Sequence, residues 1–205
     1  MPDQLSSALK KIKTDAETFL QVEIKPRELR VEAGEDPDQV AVEVREASKL
    51  AGYFYKTQPE AYGGRPASVL ELTMLRELWA SANAPLTRYI FGPGPGLLHH
   101  AQGDLKSAYL DPLLAGTRRG AFGFTEPDNA VRPTWAVVEN DSLMITGQKS
   151  YVTGGETADF LSILVNVEDP SGKKLGTAMV VVDRTAPGVI MDSTFSSMEG
   201  GGHAS

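Results

Sequence analysis

Side chains able to meet a ligand gather in two short segments of this 205-residue chain. The first is Ala121-Phe122-Gly123-Phe124-Thr125-Glu126-Pro127, and the second is Gly147-Gln148-Lys149-Ser150-Tyr151-Val152-Thr153-Gly154-Gly155. A strand-like run from Pro133 to Glu139, a tight turn at Asn140-Asp141 and a second run from Leu143 to Thr146 separate them, so the polar groups fall at strand ends. Nucleophilic catalysis finds little support: the chain has no cysteine and no Gly-x-Ser-x-Gly elbow, and His203 lies at the very end. Gly147-Gln148-Lys149-Ser150 is like the tail of a phosphate-binding loop but lacks the glycine directly before the lysine. Nor does any spacing single out a carboxylate pair among the 27 acidic residues. His99 and His100 are adjacent, and neighbours on a helix point about 100° apart, which suits a surface or helix end better than a metal.

Composition narrows the partners. A formal net charge of −7 provides no basic footprint for a phosphate backbone, so nucleic acid is not expected. With 41% hydrophobic and 23% charged residues the chain has globular composition. No apolar run approaches the roughly 20 residues of a membrane span, and the polar stretch Met1 to Thr14 lacks the apolar centre of a signal peptide. A soluble, cytoplasmic protein is the expectation.

The elements that must position the two segments follow from periodicity. Leu5, Ala8, Leu9, Ile12, Ala16, Phe19 and Leu20 recur at helical steps and predict an amphipathic helix to Val22. Pro26 to Pro37 reads as a polar connection broken by Gly34, with Asp36-Pro37 starting the next helix. That helix carries Val40, Val44, Ala47, Leu50, Ala51 and Phe54 on its stripe. After the interruption Pro59 to Pro66, Ser68 is placed to cap a third helix whose apolar residues run from Leu70 through Trp79 to Ala82. Phe91-Gly92-Pro93-Gly94-Pro95-Gly96 reads as a rigid turn, since two prolines remove amides that a phosphate cradle would need. Asp104 is expected to cap a short helix ending near Gly116.

At Gly120 the pattern changes to short β-branched and aromatic runs divided by turns, at 121–125, 134–139, 142–147, 159–167, 176–183 and 188–192. The expected architecture is α+β: an N-terminal all-helical domain over residues 1–119, then an antiparallel β-barrel-like domain over residues 120–205.

Three segments then carry a resemblance. Pro59-Glu60-Ala61-Tyr62-Gly63-Gly64, Phe122-Gly123-Phe124-Thr125-Glu126-Pro127 and Gly147 to Gly155, with Leu110-Asp111-Pro112-Leu113-Leu114-Ala115-Gly116 between the first two, resemble in order and spacing the flavin-dependent acyl-CoA dehydrogenases. The family fold is a helical domain, a middle β-domain and a C-terminal four-helix bundle, and this chain resembles the first two. The resemblance implies FAD as cofactor and α,β-dehydrogenation of an acyl-CoA thioester as the parent reaction, within fatty acid or lipid metabolism. Phe122, Phe124 and Thr125 match positions along the flavin's pyrimidine edge; Tyr151, Val152 and Thr153 match the segment that stacks an aromatic near the ring and sets a hydroxyl near its N5. Donors at those edges favour the reduced, electron-rich flavin.

The family's catalytic carboxylate belongs to the bundle, so no catalytic residue and no metal ligand is expected in this chain. Implied partners are the acyl-CoA substrate, further copies of the chain or a heteromeric dehydrogenase partner, and an electron-transfer flavoprotein. One departure concerns the loop after Thr-Glu-Pro. The family has a Gly-Ala-Gly-Ser-Asp-type sequence facing the pyrophosphate, whereas this chain reads Asp128-Asn129-Ala130-Val131-Arg132-Pro133, with Arg132 either meeting a phosphate in place of those amides or, as is commoner for such an arginine, expected in solvent. Because the family completes its site from the bundle and a neighbouring subunit, weak or no FAD retention by the chain alone is expected. The alternatives are a non-catalytic partner subunit or degenerate paralogue, and a related flavin-dependent oxidase or monooxygenase on the same fold.

Overall fold

The computed structural model describes residues 4–197 and 200–204, so Met1 to Asp3 of the polar N-terminal stretch, Met198, Glu199 and Ser205 lie outside the described residues. Two compact units result, Met1–Gly96 and Leu97–Ser205.

In the first unit α1 (Ser7–Phe19) begins where the Ser6 hydroxyl accepts from the Leu9 amide. It does not end at Val22. A π-turn, Leu20–Ile24, leads directly into α2 (Lys25–Glu32), so much of the expected connection is helix. The cause is Pro26. Its ring crowds the carbonyl four residues back and it has no N–H to donate; widening the preceding turn, so that the Lys25 amide bonds the Leu20 carbonyl, accommodates both defects. Arg27 then donates to the Glu23 carbonyl and carboxylate, each at 2.7 Å. Arg30 ties α2 to the next helix through Glu43, and its hydrogen bond holds the Glu43 carboxyl at about 2.

Helix α3 (Pro37–Ala51) starts as expected at Asp36, whose carboxylate accepts from the Asp38 amide. It stops at Gly52, φ +80°. Helix α4 (Val69–Ser81) is capped by Ser68. The apolar faces of α1, α3 and α4 meet in one core with Ile24, Val44, Leu75 and Trp79 at its centre; each such side chain contributes about 1.5–3 kcal/mol by leaving water. Tyr53 lies edge-on between Phe19 and Trp79, and burial pushes its hydroxyl up to about 12.

The Pro59–Gly64 motif serves this packing. Gln58 is buried and donates to the Pro93 carbonyl, and a Cβ on Gly64 would lie 1.9 Å from the Gln58 carbonyl oxygen. Gly92 is likewise pressed against Phe54.

The second unit opens with α5 (Gly103–Leu105), a π-turn (Lys106–Leu110) and α6 (Asp111–Ala115). Asp104 sits inside the first turn, after Gln102, and is not the cap. Here too the π-turn precedes a proline, Pro112. These short helices are tied to the β structure: Tyr109 donates to Asp183 at 2.8 Å, Arg118 pairs with Asp183, and the Arg118 guanidinium lies over Tyr109 and Phe160. The composition therefore changes at Gly120, whereas the packing divides after Gly96.

The larger sheet contains β1 (Gly120–Gly123), β2 (Trp135–Glu139), β3 (Ser142–Thr146), β5 (Phe160–Glu168) and β6 (Lys174–Asp183), in the order β1-β5-β2-β3 with β6 on β5. The tight turns produce antiparallel hairpins: Asn140 and Asp141 both have positive φ between β2 and β3, and β5 folds back on β6. The long connections produce the exceptions to the antiparallel expectation, since β1 and β2 both run parallel to β5. The sheet is open and does not close into a barrel. A second sheet holds β4 (Val152–Thr153), β8 (Gly200–Ala204) and β7 (Thr194–Ser197), in that order. The segment 188–192 expected as a strand is not one; it leads into β7 after a turn closed by Val189 on Ala186. Among the described residues no helix is long and apolar enough to cross a membrane.

Candidate functional site

The two sequence segments lie side by side. The Ser150 amide donates to the Thr125 carbonyl at 2.8 Å, and Gly123 admits the Lys149 side chain so closely that a Cβ there would lie 3.2 Å from Lys149 Cγ. Inward, Ala121 and Val152 belong to one small buried cluster with Ala158. Strand alternation then turns their neighbours outward.

Phe122, Phe124 and Tyr151 are all exposed, Tyr151 at 70%, and the Phe122 and Phe124 rings lie 5.8 Å apart. Thr125 and Thr153 are exposed as well. Val152 differs from the other five: it is buried and contributes only its backbone to any outer surface. Tyr151 holds φ +57°, a conformation costly for a residue with a Cβ. Among the described residues neither threonine hydroxyl has a hydrogen-bond partner within the protein, so both are open to a ligand.

Neither Glu126 nor Lys149 was among the expected flavin-site residues, although both lie inside the quoted motifs. Lys149 Nζ binds Glu126 at 2.7 Å and the Phe124 carbonyl at 3.3 Å; Glu126 also accepts from the Thr134 amide at 2.7 Å. Burial pushes the Glu126 carboxyl up, but the hydrogen bonds from Lys149 and Thr134 outweigh it and hold the group below the usual carboxylate range. This pair clamps the segment 124–126 against 149. A cleft of about 350 Å³ opens beside it, lined by Phe124, Thr125, Glu126, Lys149 and the β5 residues Leu164 to Asn166. Its origin is topological. Strand β1 leaves β5 after Ile163 and β2 joins at Asn166, so the edge between them lacks a ladder partner among the described residues.

The loop 128–133 offers a ligand less. Arg132, expected in solvent, pairs with the largely buried Glu168 at 2.5 Å and lies 4.2 Å from the Trp135 ring centroid. It is committed to the fold. The His99 and His100 ring centroids lie 3.8 Å apart with their planes tilted by 44°, and no cluster of three metal-ligating side chains occurs among the described residues.

Residues 6–117 match the family model for the acyl-CoA dehydrogenase N-terminal domain. The chain is 31% identical over 150 residues to acyl-CoA dehydrogenase FadE12 of Mycobacterium tuberculosis, an alignment covering 70% of this chain and 38% of that protein. A crystal structure of a probable acyl CoA dehydrogenase from Mycobacterium abscessus superposes with a TM-score of 0.70 at 26% identity, covering 97% of this chain and 55% of that one. An acyl-CoA dehydrogenase from Bacillus anthracis complexed with FAD superposes with a TM-score of 0.69 at 22% identity, covering 100% of this chain and 36% of that one. The chain thus spans about half or less of the length of these relatives. With a family model covering more than half of its residues and the same fold in solved relatives, the chain belongs to the acyl-CoA dehydrogenase family.

Proposed function

We propose that this chain supplies the ring-facing part of a flavin site in an acyl-CoA dehydrogenase-like flavoprotein, whose reaction is the α,β-dehydrogenation of an acyl-CoA thioester. The observation that carries this reading is the bond from the Ser150 amide to the Thr125 carbonyl, which sets two open hydroxyls and three exposed aromatic rings on adjoining segments. FAD, when bound, supplies the hydride acceptor. Thr125 and Thr153 would donate to the ring edges, Phe122 and Phe124 would lend backbone and apolar surface, and Tyr151 would exclude water from one side. Val152 would act through its main chain.

The fit is unequal along the cofactor. The ring end suits these residues, whereas the loop 128–133 lacks the glycines of an anion cradle and its arginine is already paired with Glu168. The catalytic base and the passage of electrons to an electron-transfer flavoprotein belong to the assembled enzyme.

The test is a fluorescence titration with FAD and with riboflavin, which shares the ring and lacks the phosphates. Weak binding of both, within about threefold of each other, is expected. The double substitution Thr125→Val, Thr153→Val should weaken both by roughly tenfold, at about 0.5–1.5 kcal/mol per lost hydrogen bond. Unchanged affinity in the double variant would overturn the hydroxyl assignments; tight FAD binding with acyl-CoA turnover would overturn the account of the loop.

The commitment of Arg132 to Glu168 also favours a second reading, a non-catalytic partner subunit. Co-purification with a flavin-loaded dehydrogenase, by a chain that takes up neither riboflavin nor FAD, would select it.

A further inference from the structure

We propose that Phe195 and His203, on the paired strands β7 and β8, are positioning residues of this same site: they form a ring-on-ring prop that orients Tyr151 and backs Thr153. The proposal rests on the ring-facing reading above. Its starting point is the register of the small sheet. His203 stands opposite Thr153 on one side and opposite Phe195 on the other, while Ala204 stands opposite Val152 and Thr194. Residues directly opposite in antiparallel strands project to the same face. The sheet therefore has a buried side, where Val152 and Ala204 pack beside Gly155, and an outer side carrying Thr153, His203 and Phe195.

The rings on that outer side touch in sequence. Phe195 stacks on His203 with centroids 5.1 Å apart and planes 17° from parallel, and Tyr151 meets Phe195 edge-on at 5.7 Å and 77°. Both geometries are favourable for aromatic pairs. Tyr151 needs such support: its ring is mostly in solvent and its backbone is left-handed, so contacts must define where the ring points. Neither Phe195 nor His203 belongs to a segment that marked the family. They reach the site only because β8 inserts between β4 and β7.

The full chain is labelled with 3-fluorotyrosine and its 19F spectrum recorded without flavin; the signal of Tyr151, one of six tyrosines, is identified by its loss in Tyr151→Phe. Phe195→Ala and His203→Ala should each move and narrow that signal, while His203→Phe, which keeps a ring, should leave it near its original position. The other five signals report whether a variant has folded, and Phe195→Leu, which removes the ring but keeps apolar bulk, serves if the alanine variants do not fold. Riboflavin affinity should fall about fivefold in both alanine variants and recover to within about twofold in His203→Phe. An unmoved Tyr151 signal would overturn the prop. A moved signal with unchanged riboflavin affinity, where Thr125→Val, Thr153→Val does weaken binding, would overturn its role in the site. No riboflavin uptake by the unaltered chain would overturn the ring-facing reading and the proposal with it; the flavin-free spectrum separates that outcome from a failed prop.

Discussion

Glu126 illustrates how a residue inside a recognised motif can do something other than touch the ligand. Its carboxylate holds Lys149 and the Thr134 amide, which fixes the segment bearing Thr125 beside the segment bearing Tyr151. The folded carboxyl titrates below its usual range. The stabilisation is thus fully present above the unfolded value of about 4.3 and is lost as pH falls through the folded value. In Glu126→Gln the amide oxygen can still accept one hydrogen bond, but the Lys149 charge, whose side chain is only 10% exposed, loses its counter-ion. The variant should be less stable than the unaltered chain by about 1–2 kcal/mol at pH 7. Thermal melts should show that difference shrinking as pH falls below about 4. A difference that stays constant from neutral to acid pH would mean that the charge pair does not clamp the segments. From sequence, Lys149 stood out only as an incomplete phosphate loop, because a lysine's partner is set by which strand ends adjoin and not by its neighbours in the chain.

Among the elements, the helices were the most legible, because cap and stripe are local. Asp36 and Ser68 cap where expected. Pro26 misled, since proline usually breaks a helix and the sequence does not display the π-turn that lets this one continue. The β pairings were partly legible: Asn140-Asp141 specified a hairpin, but nothing local specified that β1 and β2 would share one edge of β5 or that β8 would insert between β4 and β7. The motif Pro59–Gly64 marked the family, and the structure supplies its packing role. Gly63 and Gly64 are expected to differ sharply. Gly63→Ala meets open space at φ +79° and should cost about 1 kcal/mol for the backbone conformation alone. Gly64→Ala would drive a methyl into the Gln58 backbone and should cost about 3 kcal/mol or more. Urea unfolding of the two variants checks this order, and equal costs would show that the Gln58 contact yields without consequence.

At the scale of the whole molecule the sequence placed the change of composition at Gly120, but the compact unit begins at Leu97, because Tyr109 and Arg118 bind Asp183 on β6. That long-range chemistry leaves no local trace. The same unit leaves much of its β surface uncovered. Strand β3 ends the larger sheet, carries exposed Leu143 and Met144, and has neither proline nor charge among its five residues. On the opposite end Leu175 and Met179 of β6 are exposed as well. An edge strand offers a row of unpaired amides and carbonyls, and an apolar edge without lysine lacks the usual safeguard against pairing with another copy. The chain should therefore associate with itself as concentration rises, with sedimentation velocity showing a coefficient that increases across a dilution series. Met144→Lys places a charge on that edge and should return the chain toward a monomer, while leaving its melting temperature nearly unchanged because Met144 is 60% exposed. Riboflavin affinity should not move, since none of the residues assigned to the ring lies on β3. A chain that sediments as a monomer at every concentration would show that the β3 edge is protected in some other way, and association undiminished in Met144→Lys would place the contact elsewhere.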